Sequence, residues 1–266
     1  MGFVEIFKNE IEFLHTILTA TQEKRVPSPG KNDMIHFDGV IISHCNEAEW
    51  DKFKSQHTNE AILDRIVKIN VPYVLELSQE IKIYERFLSR SDFKSHIAPH
   101  TLEIASMFSV MSRLCSTEKC DVLTKMKIYN GDNVIEKGRV KKIDIKDLRE
   151  ENEGMNGIST RFIMKALDNS LSDSTRDMIT PISVIDSLVT QVKEQIIEQD
   201  TKDRYLEIIQ KIVREEYLSI LESEIAKAFI AAYEEQAQTL FDSYLDHAEA
   251  FVTRNNFKDP VTKEEL

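Results

Sequence analysis

The run from Phe37 to Pro72, FDGVIISHCNEAEWDKFKSQHTNEAILDRIVKINVP, constrains the fold more than any other stretch of the chain. Val40, Ile41 and Ile42 form a short apolar run suited to a buried strand, and it stops abruptly at Ser43, His44, Cys45 and Asn46. Asn46 is therefore expected at a strand's carboxyl end. A second strand is predicted from Val67 to Val71, where Val67, Ile69 and Val71 alternate with Lys68 and Asn70 at period two. Two short helical patterns, Glu47 to Lys54 and Asn59 to Ile66, lie between them, and Arg65 falls at the end of the second. The order is strand, polar tip, helices, arginine, strand.

Two residues here have local explanations. Asn46 followed by Glu49 reads as an N-cap with a carboxylate three residues on. Arg65 reads as a cation at a helix carboxyl end, where it complements the dipole. Upstream, Phe3 to Lys8 is apolar with one embedded carboxylate, Glu5, which suits a helix start, and Asn9 to Glu23 carries Ile11, Leu14, Ile17 and Leu18 at helical spacing. Val26 to Asp33 is a turn-rich loop.

Downstream the pattern is helical. Ser78 is expected to cap a helix through Leu88, and Pro99 to open one over Thr101 to Leu114, whose Met107, Phe108 and Met111 read as core. Met126 to Tyr129 is predicted as a strand before an Asn130-Gly131 turn, and Glu136 to Glu153 as a charged, solvated connector. Ser159 and Thr180-Pro181 each start a further helix. Asp200 to Val252 is the most periodic stretch of all. Over fifty residues is long for one globular helix, so at least two are expected, capped at Asp200 or Thr201 and packed on each other or on a partner.

Composition narrows the function. The chain has 266 residues, a net charge of −12 and no gathered basic stripe, which disfavours nucleic acid or an anionic membrane as partner. No apolar run approaches a membrane span and the amino terminus does not read as a signal peptide, so a cytoplasmic location is expected. Cys45, Cys115 and Cys120 are odd in number without a CxxC pair, and the seven histidines lack metal-ligand spacing. No G-x-S-x-G, H-E-x-x-H, H-R-D or D-F-G motif occurs.

The run from Asn46 to Arg65 resembles the sensor-1 to arginine-finger region of an AAA+ ATPase. Together with Lys82 to Glu85 (KIYE), Thr101 to Glu103 (TLE), Gly154 to Arg161 (GMNGISTR) and Tyr233 to Leu245 (YEEQAQTLFDSYL), it resembles the PrkA-type bacterial serine protein kinases over almost the whole chain. The resemblance implies a mainly α chain with a partial α/β part: the end of an AAA+ core over 1–75, a helical lid over 76–195 with a charged insertion near 121–153, and a helical C-terminal region over 196–266. It implies ATP and magnesium as cofactors, a protein substrate, and a homo-oligomer when the full AAA+ module is present.

Residue by residue, the resemblance implies that Glu5 is the Walker B glutamate, with Val4 standing where many AAA+ proteins place an aspartate. It makes Asn46 sensor 1 and Arg65 the arginine finger. For sensor 2 it suggests Arg161 first, since Gly157-Ile158-Ser159 before it and Ile179-Thr180-Pro181 after it look like lids of the chelatase and MoxR type. Arg113 ranks second and His100 third. No G-x-x-x-x-G-K-[ST] loop is found from Met1 onward, and Lys258 to Leu266 looks like a connector, so a fragment is expected. Apolar residues such as Phe3, Ile6 and Phe7 should then lack cover. Two alternatives stay open: an AAA+ motor for remodelling or ATP-dependent proteolysis, and a non-catalytic helical interaction module.

Overall fold

The computed structural model describes all residues except 1, 4, 10, 29–32, 91–94, 133–134, 137–138, 141–143, 173–177 and 254–266. Val4, the tip of the Val26–Asp33 loop, parts of the charged connector and the Lys258–Leu266 segment lie outside the described residues. The chain divides into two compact units, Met1–Asn70 and the part from Val71 onward.

In the first unit, β1 (Gly2–Phe3) pairs in parallel with β4 (Ile42–Ser43). Between them run α1 (Ile11–Gln22) and an antiparallel hairpin of β2 (Arg25–Pro27) and β3 (Met34–His36). The helices α2 (Glu47–Lys54) and α3 (Glu60–Leu63) follow. The core is small: Ile6, Leu14, Phe53 and Ile62 are buried, and Phe7 stacks on Phe53 with ring centroids 4.2 Å apart. Ile6 is therefore covered and Phe7 half-buried, contrary to the expectation for these two residues, while the side chain of Phe3 lies outside the description.

Uncovered residues occur elsewhere in this unit, at Val67 and Ile69, and at Val71, which opens the second unit. The strand expected over Val67–Val71 does not form: no strand among the described residues pairs with it, and Val67, Ile69 and Val71 are 85%, 78% and 81% exposed. An exposed extended segment gives its backbone groups to water, and without a neighbouring strand no ladder forms, so the alternating pattern has nothing to pair with. The strand expected at Val40–Ile42 shrinks to Ile42–Ser43 for the same reason.

The second unit is helical. Its elements in order are α4 (Leu77–Arg90), β5 (His96–Ile97), α5 (Thr101–Arg113), α6 (Val122–Tyr129), β6 (Ile135–Glu136), β7 (Arg139–Val140), α7 (Ile145–Leu148), α8 (Thr160–Ser172), β8 (Met178–Ile179) and α9 (Pro181–Gln195). Helix α5 is central, and Met107, Phe108 and Met111 are core residues as its spacing predicts. The short strands β5 and β8 pair in parallel.

Three sequence expectations need correction here. Met126–Tyr129 is not a strand but the end of α6, because Asp121 caps the helix by accepting from the Thr124 backbone N–H at 3.1 Å. Ser78 is not a cap but lies inside α4, its backbone N–H donating to Asn130 Oδ1 at 2.9 Å. The long C-terminal stretch does not fold back on itself: α10 (Gln199–Glu207), a π-helical segment (Ile208–Val213) and α11 (Arg214–Thr253) run end to end, starting at an N-cap Glu198. The π segment keeps Ile208, Ile209 and Val213 turned into the core.

Candidate functional site

Strands β1 and β4 run side by side in the same direction, so the chain leaves both at one carboxyl edge, the edge where open α/β sheets hold ligands. The Ile6 backbone N–H donates to the His44 carbonyl at 3.4 Å and carries the pairing past the strand ends. Glu5 and Asn46 follow at this edge.

Glu5 adopts φ 49° and ψ 53°, a left-handed conformation that costs a residue with a Cβ about 1–2 kcal/mol. Its carboxylate accepts from Lys8 Nζ at 2.7 Å, and Lys8 also reaches Glu49 Oε1 at 3.4 Å. The hydrogen bond it donates to Glu5 raises the Lys8 ammonium above its ordinary value. Asn46 is the residue before α2 and has extended φ and ψ, but its side chain makes no capping hydrogen bond. The reciprocal half of a capping box is open too: Glu49, whose carboxylate would accept from the Asn46 backbone N–H, reaches Lys8 instead. The other oxygen of Glu49 is buried without a hydrogen-bond partner. Asn46 is exposed, so its amide remains at the strand edge. Burial, then Glu49, pushes the neighbouring Cys45 thiol up and keeps it protonated.

Arg65 is exposed in the turn after α3 and donates to the Ala61 carbonyl and to Gln22 Oε1, the latter at 3.3 Å. The first bond satisfies a carbonyl at the helix end, as its helix-end reading requires.

The remaining three candidates lie in the second unit. Arg113, 3% exposed, is committed to the fold. It donates to Glu80 at 2.7 and 2.8 Å, to the Ser109 hydroxyl at 2.6 Å, and to the carbonyls of Val74 and Ile158 at 2.9 and 3.1 Å. Gly157 makes room for it: at φ 122° a Cβ there would fall 2.7 Å from Arg113 Cγ. Much of the GMNGISTR run thus forms a socket for Arg113. His100, also left-handed at φ 62°, is bonded through Nδ1 to Glu103 at 2.7 Å. Arg161 lies exposed in the first turn of α8, with no hydrogen bond or ion pair among the described residues.

Glu5 and Asn46 therefore share an edge, Arg65 is held against α1, and Arg113, His100 and Arg161 are separate from one another in their roles. Sequence reasoning missed the partners of these groups. Glu80 is 1% exposed, and although burial pushes its carboxyl up, hydrogen bonds from Arg113, Tyr84 and Ser109 outweigh this and hold it below the usual range. The same balance holds Glu153 low, through Lys125 and Tyr129. A signal for Glu80 exists: it stands four residues before Tyr84 and eight before Leu88, on the buried stripe of α4.

An open cleft of about 650 Å³ in the second unit holds none of the six candidates; Lys82, Arg86 and Arg149 surround an apolar floor that includes Ile83 and Ile145. Among the described residues no group of three His, Cys, Asp or Glu side chains could hold a metal ion, and no helix is long and apolar enough to cross a membrane.

The model of the PrkA AAA domain matches residues 1–121, and that of the PrkA serine protein kinase C-terminal domain matches 123–266. The serine/threonine kinase YeaG of Escherichia coli K12 is 36% identical over 98% of the chain, and the protein named ATP-dependent protease PrkA from Bacillus subtilis 168 is 37% identical over 100% of the chain. The chain spans 41–42% of the length of these relatives. A crystal structure of NtrX from Brucella abortus aligns with 78% of the chain, and 48% of that protein, at 12% identity and a TM-score of 0.31, too loose a superposition to carry an argument.

Proposed function

Because this chain belongs to the PrkA family, we propose that it forms part of an ATP-dependent serine protein kinase that uses AAA+ nucleotide chemistry. The observation that carries the reading is the match of both PrkA family models, which leave only residue 122 between them unmatched. The AAA domain and the kinase relatives imply use of ATP.

Bound ATP supplies a transferable γ-phosphoryl group, with magnesium offsetting its charge. Two features fit such a group: the uncommitted amide of Asn46 at a strand edge, and the exposed, unpaired guanidinium of Arg161. Glu5 accepts a hydrogen bond from the attacking hydroxyl, for which it must exchange Lys8 for that group. Asn46 fixes the attacking oxygen in line, a positioning effect. Arg161 offsets charge on the phosphoryl oxygens. Arg65 acts on the nucleotide of a neighbouring copy after leaving Ala61 and Gln22. We assign sensor 2 to Arg161 rather than Arg113 or His100, since Arg113 is fully engaged inside the fold and His100 is engaged by Glu103.

A second reading has its own support. The Bacillus relative carries the name ATP-dependent protease PrkA, and the same groups would activate water as readily as a serine hydroxyl. The two differ in where the γ-phosphate ends. Incubation with γ-labelled ATP and a denatured protein substrate separates them. Phosphoserine on protein, lost in Asn46→Ala and Arg161→Ala, supports the kinase. Free phosphate with new peptide termini and no phosphoserine supports the protease and removes the kinase reading.

A further inference from the structure

Helix α11 is the least covered part of the second unit. Its start is anchored, with Val213 buried just before it and Glu216 paired to Lys127 at 2.6 Å. After Ile220, however, no described side chain is buried. At 1.5 Å per residue its 40 residues span about 60 Å.

The apolar side chains on this helix recur every eleven residues. Leu218, Phe229 and Leu240 form one column, 49%, 75% and 75% exposed, and Ile230, Phe241 and Val252 form an adjacent one, 59%, 56% and 78% exposed. Eleven residues make three turns at 3.67 per turn, so each column runs nearly straight along the helix instead of winding around it. Such a continuous apolar face on a water-soluble surface marks an interaction site.

We propose that this face pairs with the same face of a second copy, as an antiparallel two-helix seam. The area suffices: aromatic and leucine side chains this exposed offer on the order of 800 Å² per copy, the amount a stable dimer buries. Charge decides the direction. The first half carries Lys227 between the carboxylates Glu222 and Glu224 and the helix middle, while Asp242, Asp246 and Glu249 make the described charges of the last part uniformly acidic, and across an antiparallel pair Lys227 comes opposite Asp242 of the second copy. Parallel pairing would set acidic ends side by side; antiparallel pairing sets each against the half that carries Lys227. The pattern is also self-complementary. A two-fold axis crossing between residues 234 and 235 brings Phe229 opposite Leu240 and Ile225 opposite Tyr244 of the second copy, as an isologous interface requires. This contact is independent of Arg65 and of any nucleotide.

Sedimentation equilibrium of the whole chain tests the pairing. A concentration-dependent dimer is expected, weakened at least about 100-fold by Phe229→Glu with Leu240→Glu, since each places a charge in the apolar seam. Unchanged helical circular dichroism must accompany the loss. Direction is read from cysteine cross-links in a background with Cys45, Cys115 and Cys120 changed to serine. Phe229→Cys chains mixed with Leu240→Cys chains should form a disulfide, whereas Phe229→Cys alone should not, because its two copies lie about 16 Å apart. A chain that stays monomeric, a dimer indifferent to the glutamates, or self-linking Phe229→Cys would each overturn the proposal.

Discussion

The two units treat their charged and apolar residues in opposite ways. In the second, carboxylates and cations are taken inside and paired, as with Glu80 and Arg113 or Glu153 and Lys125, among core residues such as Phe108 and Leu188 that are wholly buried. In the first, the ion pairs stay at the surface and aliphatic residues such as Val67 and Ile69 face water. Surface pairs are worth at most about 1 kcal/mol, whereas a broken buried pair leaves a stranded charge. The second unit therefore carries the stability, and the first keeps the exposed edge on which nucleotide chemistry is proposed.

The sharpest way to break this contrast is Arg113→Ala. It strands Glu80 with Tyr84 and Ser109 as its remaining donors and should cost about 3–5 kcal/mol, unfolding the second unit by native-state hydrogen exchange. Arg65→Ala in the first unit removes one exposed hydrogen-bonding cation and should change stability by less than about 0.5 kcal/mol. Equal effects would mean that the Arg113 cluster is not the fastening it looks to be. Gly157→Ala attacks the same cluster from outside. The left-handed φ and the 2.7 Å approach to Arg113 Cγ predict a loss of about 1–3 kcal/mol in chemical denaturation, with Glu80→Gln adding less in that background than alone because the two sites share Arg113.

Periodicity made most of the second unit legible. Helix α5 departs from its expected end by one residue, and in the first unit α2 has the bounds read from Glu47 to Lys54, because each pattern reports burial within its own unit. The strand over Val67–Val71 failed for the opposite reason: an alternating pattern states that a strand could pair, while pairing depends on a neighbour the pattern does not contain. Met126–Tyr129 failed because Asp121 starts a helix earlier than the apolar run suggests. At the candidate site, Glu5 and Asn46 were found only through family resemblance. Lys8 and Glu49 each stand three residues after one of them, but the meeting of Lys8 with Glu49 gives no local signal, since it joins two strand ends.

Acid distinguishes the units next. Glu80 and Glu153 have carboxyls held below their unfolded values, so the stability they add is fully present above an unfolded value of about 4.3 and is lost as pH falls through the folded values. Urea unfolding of the second unit should accordingly shift to lower midpoints below about pH 4. Glu80→Gln should flatten that dependence while lowering stability at neutral pH. A second unit whose midpoint ignored acid would show that the buried carboxylates gain nothing from their partners.

The smallest effects compare two helix starts. At Thr180 a capping box is closed: its hydroxyl accepts from the Ser183 N–H at 3.2 Å, and Ser183 Oγ accepts from the Thr180 N–H at 3.0 Å. Thr180→Ala should cost about 1 kcal/mol. At Asn46 the box suggested by the same kind of sequence is open, because Glu49 turns to Lys8 and the Asn46 side chain makes no cap bond. Asn46→Ala should therefore change the unfolding midpoint by no more than a few tenths of a kcal/mol, well under the ordinary cost of losing an asparagine cap. If Asn46→Ala is as costly as Thr180→Ala, the asparagine is a cap and its presence at the strand edge needs no nucleotide. If it leaves stability intact yet removes phosphoryl transfer, the residue serves the reaction alone.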